Sequence, residues 1–193
     1  MPVKEIMVFD TPGVKNTNDC IEIAIKSIKK DGYKHIVVAS TTGKTALAFY
    51  DALKDLNVNL VIVTHSVGFG EPNTDEFDPK IRDRLLSAGI PVCTGTILSH
   101  SLEKSFMDSF GGIYPAYIIA NTLRRFGEGT KVAIEIVLEA CDAGLIPEGE
   151  EVLSIGGTAR GSDTILAIKT RPSKRFLDLD VLEILARPRG RDI

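Results

Sequence analysis

The sequence predicts an α/β fold, a parallel sheet with helices on both faces. Short apolar β-branched runs alternate with helix-period segments along most of the chain. The segments that follow the predicted strands are rich in Gly, Ser and Thr, whereas the connections at the opposite end are charged, as in Asp31-Gly32-Tyr33-Lys34 and Glu148-Gly149-Glu150. The 193 residues, 44% hydrophobic and 25% charged, suffice for one substantial core. No repeat, low-complexity stretch or shift of composition marks a linker, so residues 1–193 are expected to form a single domain.

In chain order, Glu5 to Phe9 is a short strand, followed by the turn Asp10-Thr11-Pro12-Gly13. A helix starts at Thr17-Asn18-Asp19, carries Ile21, Ile25 and Ile28 on one face and stops at Gly32. His35 begins the next strand, Ile36-Val37-Val38, which turns through Ser40-Thr41-Thr42-Gly43 into a helix. That helix places Ala46, Phe49, Tyr50 and Leu53 on one buried face. Leu60 to Val63 is a strand with a long loop behind it, Thr64 to Asn73. Asp78 to Ala88 is a helix, and Ile90 to Cys93 a strand leading into Thr94-Gly95-Thr96. Ser101 to Ser109 and Ala116 to Arg125 read as helices broken at Gly111-Gly112 and Pro115. Their many aromatics suit a core layer with some subunit interface, which leaves a homo-oligomer open. Thr130 to Ala143 is a helix with Val132, Ala133, Ile136, Val137 and Ala140 at helical spacing. Val152 to Ile155 and Thr164 to Ile168 are strands flanking a second glycine-rich turn. Phe176-Leu177 and Val181 to Leu185 add extended segments.

Composition excludes several function classes. A net charge of −3 offers no basic face for nucleic acid, and Arg187 to Arg191 reads as a short solvated tail. No apolar run reaches the ~18 residues of a membrane span, and MPVKEIMVFD is too short and charged for a signal peptide. The three cysteines, Cys20, Cys93 and Cys141, lack metal-ligand spacing and read as small core residues of a reducing compartment. A cytoplasmic protein without a bound metal is expected.

In open parallel sheets ligands bind outside the carboxyl ends of the strands. Those ends here are Ser40 to Thr45, Thr64 to Gly70, Thr94 to Thr96 and Gly156 to Asp163. The strand, hydroxyl-rich turn and helix start at Ser40, Thr41, Thr42, Gly43, Lys44 and Thr45 suit a phosphate. Unpaired N–H groups point out of a helix N-terminus and carry partial positive charge. A plain cap of the helix has similar sequence needs. Gly43-Lys44-Thr45 is not a P-loop, because the first glycine of that motif would fall at Val38. Gly68-Phe69-Gly70 is not a dinucleotide fingerprint, because Asn73 stands where its third glycine is required.

His35 to Ala48 followed by Asn59 to Thr64 resembles the start of the C-terminal domain of pyruvate kinase, with the turn Thr41-Thr42-Gly43-Lys44-Thr45-Ala46. Over its full length the chain is similar to a stand-alone, archaeal-type family of pyruvate kinase C-terminal-domain-like proteins. The marks are that turn, the loop Thr64-His65-x-x-Gly68-Phe69 and the turn Gly156-Gly157-Thr158-x-Arg160-Gly161-x-Asp163-Thr164. The resemblance implies a three-layer α/β/α sandwich with a mostly parallel central sheet and an antiparallel edge strand. It also implies flavin mononucleotide (FMN) as the ligand. Pyruvate kinase activity is not carried over, since nothing matches that enzyme's catalytic domain.

The expected protein therefore binds a phosphorylated small molecule, FMN first. The phosphate lies on the amides of Gly43, Lys44 and Thr45 and the hydroxyls of Thr41 and Thr42. His65 and Phe69 pack on the ring, beside Gly68. Gly157, Thr158, Arg160, Gly161 and Asp163 line the other wall, Asp163 accepting ribityl hydroxyls. Ser40 and the Thr94-Gly95-Thr96 turn complete the set. A regulatory sensor of a sugar phosphate or nucleotide, and an FMN-dependent oxidoreductase, remain as alternatives. His100 is a candidate acid or base.

Overall fold

The computed structural model describes residues 3–96 and 98–190. In order they form β1 (Met7–Phe9), α1 (Thr17–Asp31), β2 (His35–Ala39), α2 (Lys44–Leu53) and β3 (Asn59–His65). Next come α3 (Pro79–Ser87), β4 (Val92–Gly95), α4 (Leu102–Phe110) and α5 (Pro115–Leu123). The chain continues with α6 (Glu128–Asp142), β5 (Glu151–Gly156), β6 (Thr164–Lys169) and β7 (Asp180–Pro188). The strands form one seven-stranded sheet in the order β1-β7-β6-β5-β2-β3-β4. All neighbours are parallel except those of β6, which runs antiparallel to β5 and β7. The sheet is thus mostly parallel with its antiparallel strand on one flank, and β7 and β1 lie outside that strand.

The period of two along each strand divides the core into two layers. Ile36 and Val38 of β2 and Leu60 and Ile62 of β3 face α1, α2 and α3, where Cys20, Ala24, Phe49, Leu53 and Leu85 pack. Val37, Val61, Val152 and Leu166 face the other way, onto Ala133, Ile136, Val137 and Ala140 of α6. Continuous β-branched runs are what a strand buried on both faces requires.

The strand order explains where a ligand can enter. From β2 the chain steps to β3 and β4 through α2 and α3 on one face. It then returns through α4, α5 and α6, with α6 on the other face, to place β5 on the far side of β2. Connections leave β2 and β5 in opposite directions, so the crevice of a doubly wound sheet opens at their carboxyl ends. Val38 pairs with Ile155, which brings those ends level.

Several expectations need correction. Phe176 and Leu177 belong to a short 3-10 segment, Ser173–Asp178, not to a strand. β4 runs on through Thr94 and Gly95, which were expected in a loop. Arg187, expected in a solvated tail, is held in β7, and Arg191 lies outside the described residues. The α4–α5 region is less a core layer than its aromatics suggest, since Phe106, Phe110, Ile113, Tyr117 and Ile118 are exposed. No helix among the described residues is long and apolar enough to cross a membrane.

Candidate functional site at the carboxyl ends of the central strands

A cleft of about 490 Å3 opens where β2 and β5 end, a size within the ~300–1000 Å3 of small-molecule sites. Its floor is the turn after β2. Gly43 precedes α2 with φ of 89°, a left-handed conformation natural to glycine, and offers no side chain to cap the helix. The Ser40 hydroxyl accepts from the Ala46 amide at 3.2 Å, and the Leu47 amide donates to the Gly43 carbonyl. The amides of Lys44 and Thr45 in the first turn are left for an outside acceptor. The Thr41 carbonyl accepts from the Thr64 hydroxyl, and the Thr42 carbonyl from the Asp78 amide, so the turn is pinned to β3 and to the start of α3. The side chain of Lys44 is exposed at the cleft.

One side of the mouth is aromatic. The rings of His65 and Phe69 are 4.0 Å apart and those of Phe69 and His100 4.9 Å. Glu76 links this cluster to the second glycine turn, with His65 Nδ1 at 3.4 Å and Arg160 at 3.6 Å. Burial together with Lys131, Lys104, Arg124 and His65 pushes the His100 imidazole below its ordinary pKa, which favours the neutral ring.

Ser40, Thr41, Thr42, Lys44, Thr45, His65, Phe69, Gly157, Arg160 and Gly161 line the cleft, so both turns and the aromatic loop meet there. Seven expected residues are placed otherwise. Asp163 has no exposed surface. Its Oδ2 accepts from the amides of Gly13 at 2.8 Å and Thr158 at 3.1 Å, and its Oδ1 from the Thr164 hydroxyl. It fastens the β5–β6 turn to the segment before α1 and, fully buried, presents no surface to ribityl hydroxyls. Thr158 is folded into the same turn, where its carbonyl accepts from the Arg160 amide. A Cβ on Gly43 would meet Ile81 and Phe77, so this glycine answers to packing against α3 and the loop before it. The Gly68 amide closes the loop onto the Thr74 carbonyl. Thr94 and Gly95 belong to β4 and Thr96 follows it, two strands from β2, hence ~10 Å away. The Thr94 hydroxyl accepts from Arg82 instead.

Sequence reasoning missed the opposite wall of the cleft. Glu128, Lys131, Glu135 and Glu139 of α6 all line it. Lys131 and Glu135 are buried and pair at 2.6 Å, and Glu135 Oε1 accepts from the Ser99 amide at 3.2 Å. The available signal was the i, i+4, i+8 spacing of Lys131, Glu135 and Glu139, each immediately before a residue of the apolar stripe. Glu139 lies beneath Gly95, where burial and the nearby Glu135 raise its pKa to about 7. Among the described residues no group of three or more His, Cys, Asp or Glu is placed to hold a metal ion.

The sheet order, with a glycine turn at its switch point, is that of a doubly wound α/β domain. The family model for the pyruvate kinase alpha/beta domain matches residues 18–168, and the chain belongs to that family.

Proposed function

We propose that the cleft binds a phosphorylated small molecule, FMN first among them, in a cytoplasmic protein. The observation that carries this reading is the first turn of α2, whose Lys44 and Thr45 amides no side chain caps and which opens into the cleft at the β2–β5 switch point. Two free amides, the hydroxyls of Thr41 and Thr42 and the Lys44 charge converge there on a site for a dianion. The His65–Phe69–His100 cluster offers a planar ring an aromatic face beside that site. Free cysteines support the reducing compartment. FMN bound here would supply redox chemistry of its own, and the protein's part would be to orient it and exclude water.

Purified protein titrated with FMN in a calorimeter tests the reading. Lys44→Ala is expected to weaken binding about tenfold to a hundredfold, since a charge-assisted bond to phosphate is worth about 1.5–3 kcal/mol. Arg160 stands with Glu76 and His65 at the aromatic end, so the effect of Arg160→Ala is expected to add to that of Lys44→Ala. A Lys44→Ala protein that binds FMN as tightly as the wild type would remove α2 as the phosphate site.

A further inference from the structure

Opposite the phosphate turn, one side chain has no structural explanation. Glu139 is 8% exposed, and neither oxygen of its carboxyl group has a hydrogen-bond partner among the described residues. Its neighbours on α6 are satisfied: Lys131 pairs with Glu135, and Glu135 also holds the Ser99 amide. A buried carboxyl left unpaired is costly and uncommon. The surroundings also make room for it. A Cβ at position 95 would stand 2.7 Å from Glu139 Oε2, so glycine there keeps the carboxyl group clear at the end of β4. Glu139 lines the cleft. The charged and titratable groups facing it are Glu135, Lys131 and Asp142 on its own helix and the Cys93 thiol on β4. None of these is an N–H donor to its oxygens.

We propose that Glu139 reads the end of the ligand remote from the phosphate, accepting hydrogen bonds from hydroxyl or imide N–H donors. This rests on the phosphate-binding reading of the cleft. It narrows the ligand to a phosphate monoester whose other part carries donors, such as the ribityl hydroxyls or the pyrimidine imide of FMN. It also rejects a class. A second phosphate or a carboxylate at this end brings acceptors and negative charge but no donor for Glu139, so sugar bisphosphates are disfavoured there.

The test uses the full chain with FMN, inorganic phosphate and fructose 1,6-bisphosphate as calorimetric probes. Melting curves and near-ultraviolet circular dichroism report the fold. Wild type is expected to bind FMN more tightly than the bisphosphate. Glu139→Leu, or the smaller Glu139→Ala should leucine overpack the site, is expected to weaken FMN about tenfold or more while leaving inorganic phosphate unchanged. Glu139→Gln, which keeps an acceptor oxygen and loses the charge, is expected to hold FMN within a few-fold and to narrow the gap to the bisphosphate. A folded leucine or alanine variant that binds FMN like the wild type overturns the role of Glu139 and leaves the phosphate reading standing. Wild type that binds neither FMN nor phosphate overturns the reading itself, and this inference with it. Wild type that binds phosphate but not FMN, or prefers the bisphosphate, overturns the donor-bearing ligand alone.

Discussion

Asp163 and Glu139 are both buried carboxylates near one cleft, and their surroundings give them opposite parts. Asp163 accepts two backbone amides and a hydroxyl. In Asp163→Ala the amides of Gly13 and Thr158 lose their acceptor, and each unpaired buried group costs about 1–3 kcal/mol. Urea denaturation is expected to show a loss of about 3 kcal/mol or more, with Asp163→Asn milder because one oxygen remains. An unchanged midpoint would mean that water replaces the carboxylate. Glu139 links stability to pH. Its folded pKa of about 7 lies above the ordinary 4.5, so between those values the unfolded chain releases a proton that the folded chain keeps. Stability therefore declines as pH rises from about 4.5 to 7, by about 3 kcal/mol from this one group, and levels off above. Denaturation at pH 5 and pH 8 is expected to show a smaller difference for Glu139→Gln than for the wild type. An equal difference would place the titration elsewhere. At this scale the sequence was legible as residue type but not as role. Asp163 sits in a polar turn, and nothing local says that its oxygens face a segment some 150 positions earlier.

At the scale of elements, α6 meets the sheet through its apolar stripe and, at its N-terminal half, through close backbone approach. A Cβ on Gly156 of β5 would collide with the Gly129 carbonyl, and one on Gly129 with the side chains of Thr164 and Asp163. The Ser154 hydroxyl adds a buried bond of 2.6 Å to the Ala133 carbonyl. Gly129→Ala adds one methyl group to this contact, where neither backbone nor Asp163 can yield. Overpacking of this kind costs about 1–3 kcal/mol, although alanine is otherwise the better helix former. Thermal melting is expected to show a lower midpoint for Gly129→Ala, and a higher one would mean that α6 shifts freely on the sheet. The helix itself was legible from Val132, Ala133, Ile136 and Val137, because apolar spacing reports the face that meets the sheet. Its charged residues were not. Lys131, Glu135 and Glu139 have the pattern of a solvated face, and only the cleft between α6 and the strand ends buries them. The aromatics of α4 and α5 misled in the opposite sense, for hydrophobicity alone does not distinguish a covered face from an exposed one.

For the whole molecule, the order of strands decides what meets what. The turns at 40–45 and 157–163 are joined only because β5 returns beside β2. That much was legible in the alternation of strands and helices, through the rule that ligands seat where connections diverge. The Thr94-Gly95-Thr96 turn shares their chemistry and the same end of the sheet, yet β3 separates it from β2. Local composition carries no information about strand order, and of this turn it is Gly95 that borders the cleft, through Glu139. A site assembled from segments this far apart exists only in the folded chain, and a ligand that binds it must stabilise the fold as a whole. At a hundredfold excess over its dissociation constant, such a ligand adds about 2.7 kcal/mol. For a chain of 193 residues that corresponds to a rise of about 5–10 °C in the melting midpoint. FMN is expected to produce this shift. Riboflavin keeps the ring and the hydroxyls but lacks the phosphate, and it is expected to produce little at the same concentration. Equal shifts from the two would show that the ring end alone anchors the ligand and that the α2 N-terminus plays no part. A shift from FMN that survives Lys44→Ala and is lost in Arg160→Ala would move the phosphate from the first turn to the second.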